Sequence, residues 1–246
     1  MRLLVFADQQ VGYQVVMYLL ENYPQDLGML LVTDLDNEIA GLARAAGVVV
    51  EAYKDEVSLQ ALAGQFDLGI LAWWPHIIHE PLIDLPRQGF INFHPSLLPY
   101  NRGKHYNFWA LVEQVPFGVT LHRVEQGIDS GDIVAQRELP YDWTDNAETL
   151  FHRARAEIAQ LFFDHYPVIR AQDVSLMATP QDPGKGSFHY AREMPAASRI
   201  DLDQQYSARD LLNLLRAKTF PPHPACWFED GDSEYEVTVQ IKRKMQ

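Results

Sequence analysis

The sequence predicts an α/β fold: an open, mostly parallel sheet with helices on both faces, followed by a small C-terminal helix and β-hairpin. Three observations predict it. Short apolar runs alternate with stretches of helical periodicity along the first part of the chain. The runs are continuous rather than alternating, as expected of strands covered on both faces. A Pro- and Gly-rich stretch at residues 180–186 then separates this part from a tail of different pattern.

The elements follow in order. Residues 2–6 read as a buried strand and 11–22 as a helix. A second strand at 29–33 precedes a helix at 38–46, ended by Gly47. Residues 48–52 form a third short strand and 56–65 a helix. Strands at 68–73 and 89–93 complete the parallel series. In such sheets ligands bind beyond the carboxyl ends of the strands. After residue 94 the pattern changes: 104–113 is helical, while 118–124 and 132–139 alternate and read as further strands. Residues 146–166 form a long helix, with Thr144 or Asp145 as its cap and Pro167 as its stop. In the tail a helix at 207–217 leads to strands at 225–229 and 234–242, joined through Asp230-Gly231-Asp232. The boundaries are a domain over 1–180 and a small region over 187–246.

Composition bounds the function. With 246 residues, 47% of them hydrophobic, the chain can bury a substantial core as one large domain with or without an appendage. A net charge of -13 argues against affinity drawn from phosphate backbones, and leaves room for a nucleotide in a local positive pocket. A single cysteine, Cys226, excludes a disulfide framework and a cysteine-rich metal site. Asp8, Gln9 and Gln10 interrupt the first apolar run too early for a signal peptide. No run approaches the ~20 residues needed to span a bilayer. A cytoplasmic protein is expected. The first strand is followed by Asp8-Gln9-Gln10-Val11-Gly12, with one glycine where a dinucleotide fingerprint needs three, so a nicotinamide-dependent dehydrogenase is not expected.

The chemistry concentrates in two segments. Asn92 and His94 are two residues apart on one strand, so their side chains leave on the same face, and Pro95 ends the ladder beside them. Asp129 lies between Gly127 and Gly131 in a loop that can approach a ligand. An amide, an imidazole and a carboxylate suit acyl transfer through a tetrahedral intermediate. Alone, His94 reads as a packed core histidine, Asn92 as a turn former and Asp129 as a loop cap; their company favours chemistry. Asp132 reads as a structural cap. His76 and His79 have the spacing of metal ligands but lack the partners of a zinc signature. Trp74 ends a strand and suits either core packing or an aromatic wall. Arg102, Lys104 and His105 form a basic cluster, read as solvated charge or an anion contact. Arg216 and Lys218 end a helix, where cations favourably meet its dipole.

Asn92-x-His94-Pro95-Ser96-Leu97-Leu98-Pro99, then Arg102-Gly103, Gly118-Val119-Thr120-Leu121-His122 and Ile128-Asp129-Ser130-Gly131-Asp132-Ile133 resemble the folate-dependent formyltransferase superfamily. That group includes glycinamide ribonucleotide transformylase, methionyl-tRNA formyltransferase and the nucleotide-sugar N-formyltransferases. The segment Gly103-Lys104-His105-Tyr106-Asn107-Phe108-Trp109 is most similar to the sugar-modifying branch. The resemblance implies the Rossmann-like formyltransferase fold, N10-formyltetrahydrofolate as co-substrate and no metal. It implies Asn92, His94 and Asp129 as catalytic residues, with Trp74, His122 and Asp129 on the folate. Arg102, Lys104, His105, Tyr106, Arg216 and Lys218 become candidate substrate contacts. The implied reaction formylates a nucleotide-linked amino-dideoxysugar for bacterial surface polysaccharide (O-antigen) synthesis. The implied partners are that amino sugar, reduced folate and a second copy of the chain, with neither nucleic acid nor membrane. Enzymes of the methionyl-tRNA formyltransferase or glycinamide ribonucleotide transformylase type are the alternatives. Against tRNA stands the tail, where Arg192, Arg199 and Arg209 are offset by Glu193, Asp201, Asp203 and Asp210.

Overall fold

The computed structural model describes residues 1–244. In chain order the elements are β1 (Leu3–Ala7), α1 (Gln9–Asn22), β2 (Leu27–Val32), α2 (Glu38–Ala45), β3 (Val50–Ala52), β4 (Leu68–Ala72), β5 (Phe90–His94), β6 (Arg102–Gly103), α3 (Tyr106–Glu113), β7 (Gly118–Arg123), β8 (Ile133–Glu138), α4 (Ala147–Ala171), β9 (Phe188–His189), α5 (Glu193–Ala197), α6 (Ala208–Ala217), β10 (Cys226–Asp230) and β11 (Ser233–Val237). Seven strands form one sheet in the order β3-β2-β1-β4-β5-β7-β8. The pairings from β3 to β5 are parallel, whereas β5 and β7 are antiparallel. The expected α/β sheet is therefore present, with one antiparallel margin.

The chain divides into two compact units. The first comprises Met1–His94, Thr120–Gln136 and Ala156–Gln181; the second comprises Pro95–Val119, Arg137–Arg155 and Asp182–Gln246. The second thus draws on segments well before the 180–186 stretch.

The core of the first unit follows from strand alternation. All five residues of β1 are buried. Phe6 meets Trp74 at 5.2 Å and Phe90 at 5.5 Å between ring centroids, within a cluster that includes Leu4, Leu31 and Leu71. On β5, Phe90, Asn92 and His94 share that face by their period of two. Phe93 points the other way and packs on Phe162 of α4 at 5.3 Å.

Pro167 was expected to end the long helix, but α4 runs through it to Ala171. A proline inside a helix deprives the carbonyl four residues earlier of its donor. That carbonyl belongs to Phe163, and the Tyr18 hydroxyl donates to it at 3.1 Å while the two rings stack at 4.4 Å. On either side of the proline, buried Asp26 accepts from the Tyr166 hydroxyl at 2.8 Å and from Arg170 Nε at 2.5 Å. These contacts hold the extra turn in place.

In the second unit the cap of α4 is Asn146, not Thr144 or Asp145. Its Oδ1 accepts from the Thr149 amide at 2.9 Å, and Thr149 Oγ1 accepts from the Asn146 amide at 3.0 Å, a reciprocal box. In the tail, Ser207 Oγ accepts from the Asp210 amide at 3.1 Å and starts α6. The hairpin turns at Gly231, whose φ of 59° suits glycine, but β11 ends at Val237, short of the expected 242. The short pairing of β6 with β9, Arg102 opposite Phe188, was not anticipated. In the first unit the expected helix at 56–65 is a 3-10 helix, Val57–Leu62.

Candidate active site

The end of β5, its neighbour β7 and the loop before β8 bring four polar side chains together in the first unit. In the antiparallel ladder Asn92 lies opposite His122, and His94 opposite Thr120. Asn92 Nδ2 is 3.2 Å from His122 Nε2 and 3.5 Å from Asp129 Oδ1. Asp129 Oδ2 lies 3.4 Å from His94 Nδ1, and Oδ1 lies 3.5 Å from His122 Nε2. The side chains of His94 and His122 are 6% and 3% exposed, so these polar contacts sit largely out of water. The same-face expectation for Asn92 and His94 holds, and Asp129 joins them.

Hydrogen-bond logic fixes the His122 tautomer. Nδ1 lies 2.8 Å from the Arg123 carbonyl oxygen, which can only accept, so Nδ1 carries the proton. In the neutral ring Nε2 is then an acceptor, and the Asn92 amide donates to it. His122 therefore orients Asn92.

The Asp129 loop is tightly built. Asp129 itself has φ of 50°, in the left-handed region that favours glycine. A Cβ on Gly131 would lie 2.0 Å from the Arg123 carbonyl oxygen, so only glycine fits. Gln181 Nε2 donates to the backbone oxygens of Asp129, at 3.0 Å, and Gly131, at 2.5 Å. Sequence reasoning missed Gln181, which lay in a stretch read as a linker. Its only local signal is its neighbour Pro180.

The remaining candidates divide. Trp74 is 9% exposed and packs edge-on against Phe6, Tyr53 and His76, as a core tryptophan would. Its Nε1 is buried and has no hydrogen-bond partner among the described residues. In the second unit, Arg102 is half-buried and its Nε likewise lacks a partner. Lys104 is exposed. Burial, with Lys218 and Lys104 nearby, pushes the His105 imidazole below its ordinary range, which weakens its reading as a cation. Tyr106 is stacked on Phe117 at 6.4 Å, and burial pushes its hydroxyl well above the usual range.

The candidate substrate cations Arg216 and Lys218 both bond to acceptors within the second unit. Arg216 is 5% exposed; its Nη1 donates to the carbonyls of Asp142, at 2.5 Å, and Asp145, at 3.0 Å, and its Nε to Asn213 Oδ1 at 2.8 Å. Its guanidinium also covers the Trp143 ring at 4.7 Å. Lys218 Nζ donates to the Pro224 carbonyl at 2.7 Å. Among the described residues no group of three or more His, Cys, Asp or Glu side chains is placed to hold a metal ion. No helix among them is long and apolar enough to cross a membrane.

Residues 18–165 match the family model described as formyl transferase. The chain belongs to this family. Residues 193–243 of this formyltransferase also match the N-formyltransferase dimerization C-terminal domain. Among curated relatives, the GDP-perosamine N-formyltransferase of Brucella melitensis biotype 1 is 30% identical over 185 residues, covering 73% of this chain and 67% of that protein. A methionyl-tRNA formyltransferase of Listeria monocytogenes is 32% identical over 189 residues, covering 74% of this chain and 58% of that one. Among solved structures, a sugar N-formyltransferase from a Shewanella species superposes with a TM-score of 0.78 at 20% identity, covering 100% of this chain and 99% of its own. The formyltransferase of Anoxybacillus kamchatkensis, solved with UDP-4,6-dideoxy-4-formamido-L-AltNAc and tetrahydrofolate, gives 0.59 at 25% identity, covering 89% and 100%.

Proposed function

We propose that this formyltransferase moves the formyl group of N10-formyltetrahydrofolate to the amino group of a nucleotide-linked amino-dideoxysugar, in bacterial surface polysaccharide (O-antigen) synthesis. The observation that carries the reading is the gathering of Asn92, His94 and Asp129 at the carboxyl end of β5. The tail match over residues 193–243 supports the sugar branch, as does the name of the Brucella relative. The site fits the folate: Trp74, His122 and Asp129 would line it, and the buried Trp74 Nε1 is a donor with no acceptor among the described residues.

The folate, once bound, supplies an electrophilic formyl carbon. The chain's residues manage charge and protons around it. The sugar amine must arrive neutral, because an ammonium has no lone pair. Asn92 donates an N–H to the oxygen that gains charge; its long contact to Asp129, 3.5 Å, is the one it gives up. Losing such a donor typically slows turnover ~10²- to 10³-fold. His94 takes the amine proton and returns it toward the departing folate nitrogen. Asp129, 3.4 Å from Nδ1, orients the ring and stabilises its charged form. Arg102 and Lys104 supply cations for the diphosphate.

The test is product analysis. Formylated folate and a panel of nucleotide amino sugars should yield a formamido sugar and tetrahydrofolate. Asn92→Ala, His94→Ala and Asp129→Ala should each remain folded and lose at least ~10²-fold in kcat. Near-normal turnover by His94→Ala would remove the mechanism. The Listeria relative favours a second reading, methionyl-tRNA formyltransferase; specific submicromolar binding of initiator tRNA in a gel shift would establish it over the first.

We further propose a cytoplasmic homodimer, with residues 1–180 carrying catalysis and 187–246 the assembly. Phe228 and Tyr235 stack at 5.3 Å on the hairpin, and Tyr235 is 48% exposed. A two-stranded hairpin is marginal without a partner surface. Light scattering should give a dimer for the intact chain and a monomer for one ending at Pro222. A monomeric mass for the intact chain across micromolar concentrations overturns this.

A further inference from the structure

We infer that Gln181 is a positioning residue for the transfer, its amide clamping the loop that carries Asp129 so that the carboxylate faces His94 and Asn92 together. The inference rests on the function proposed above.

The clamp is built from two carbonyls and one amide. Gln181 Nε2 donates both its hydrogens, to the Asp129 oxygen at 3.0 Å and the Gly131 oxygen at 2.5 Å. Both partners are acceptors only, so the amide cannot be turned round. The segment that delivers it is anchored two residues earlier. Thr179 and Ile133 exchange two backbone hydrogen bonds of 2.8 Å each, fixing the chain beside the start of β8. The loop has reason to need holding. Asp129 sits at φ 50°, an arrangement that a non-glycine residue keeps only when its surroundings enforce it. Gly131 presses against the Arg123 carbonyl, leaving no slack on its side.

The other end of the amide argues that this is not stability alone. Gln181 Oε1 is buried and has no partner among the described residues. A buried acceptor without a donor is unfavourable, and an apolar side chain of the same length would avoid the penalty. Methionine there would fill the space but would leave the loop unclamped.

The test uses Gln181→Met and the isosteric Gln181→Glu, which turns a donor into an acceptor facing two carbonyls. A misplacement of the order of 1 Å in a catalytic group can slow a reaction ~10²-fold. Gln181→Met should therefore lower kcat at least ~10-fold with KM for folate and sugar within about twofold, and Gln181→Glu should lower it further. Since the amide acts through Asp129, Gln181→Met should lower kcat less than about twofold when added to Asp129→Asn. Unchanged kcat, or full additivity with Asp129→Asn, overturns the assignment. Hydrogen exchange gives a readout independent of turnover. In ligand-free protein, peptides covering residues 126–133 should exchange faster in Gln181→Met, with the rest of the first unit unchanged. Unaltered exchange there overturns the clamp whatever the substrate proves to be. Absence of any formamido sugar from the wild type, with faster loop exchange in the variant, would instead sink the proposed substrate and keep the clamp.

Discussion

His94 in the first unit and His189 in the second both face carboxylates, at different distances and with different consequences. His189 Nε2 lies 2.7 Å from Glu113 Oε1 and Nδ1 lies 3.0 Å from Glu193 Oε2, while its ring stacks on Trp109 at 3.8 Å. The second oxygen of Glu113 accepts from Asn101 Nδ2 at 2.8 Å and Ser187 Oγ at 2.7 Å. Every polar atom named in that cluster is engaged at close range, and the cluster fastens the segment around β9 to α3. Around Asp129 the contacts to His94 and Asn92 are 3.4 and 3.5 Å. Catalytic hydrogen bonds are often this long without ligands and tighten in the complex. An imidazole beside a carboxylate is thus not itself a mark of catalysis; the two clusters differ in contact length and in their place in the fold.

The sharpest break of this comparison is a reciprocal pair of substitutions. Asp129→Asn should lower kcat ~10²- to 10³-fold with little change in melting temperature. His189→Gln should lower the melting temperature and leave kcat of the folded fraction within about twofold. Loss of turnover in His189→Gln at unchanged melting temperature would reverse the two roles.

Arg216 extends the contrast within the second unit, as a cation absorbed by structure. Arg216→Met leaves the carbonyls of Asp142 and Asp145 and the Asn213 side chain without their donor. The buried acceptors of Asp145 and Asn213 left unsatisfied should destabilise by about 2–3 kcal/mol, read as a lower urea midpoint. A raised KM for the nucleotide sugar at unaltered stability would restore Arg216 to the substrate.

Much of the sheet and the pairing of Asn92 with His94 was legible because both depend on short-range pattern. Continuous apolar runs gave the parallel strands, and the two-residue spacing of Asn92 and His94 put both on one face. Elements held by distant partners were not legible. Helix α4 passes Pro167 because Tyr18 supplies a hydroxyl and Asp26 binds Tyr166 and Arg170, from over a hundred residues away in sequence. Gln181 looked like linker because both carbonyls it binds lie near residue 130. The carbonyl partners of Arg216 and Lys218 were not legible, because a sequence does not reveal which acceptors a side chain will meet.

The smallest effect, and the finest test of His189 as a fastener, concerns acid. The hydrogen bond from His189 is the main cause holding the Glu193 carboxyl below its ordinary value of 4.5. A carboxyl depressed in the folded state adds stability above its unfolded value, and that stability is lost as pH falls through the folded one. Glu193→Gln should therefore melt slightly below the wild type at neutral pH, and the gap should close as pH drops below about 4.5. The gap is small because Glu193 is solvent-accessible and its contact with His189 is screened. Melting curves of both proteins between neutral and acid pH decide it. A gap that stays constant into acid would mean that charge on Glu193 contributes nothing. The fastening would then rest on Glu113 and the Trp109 stack.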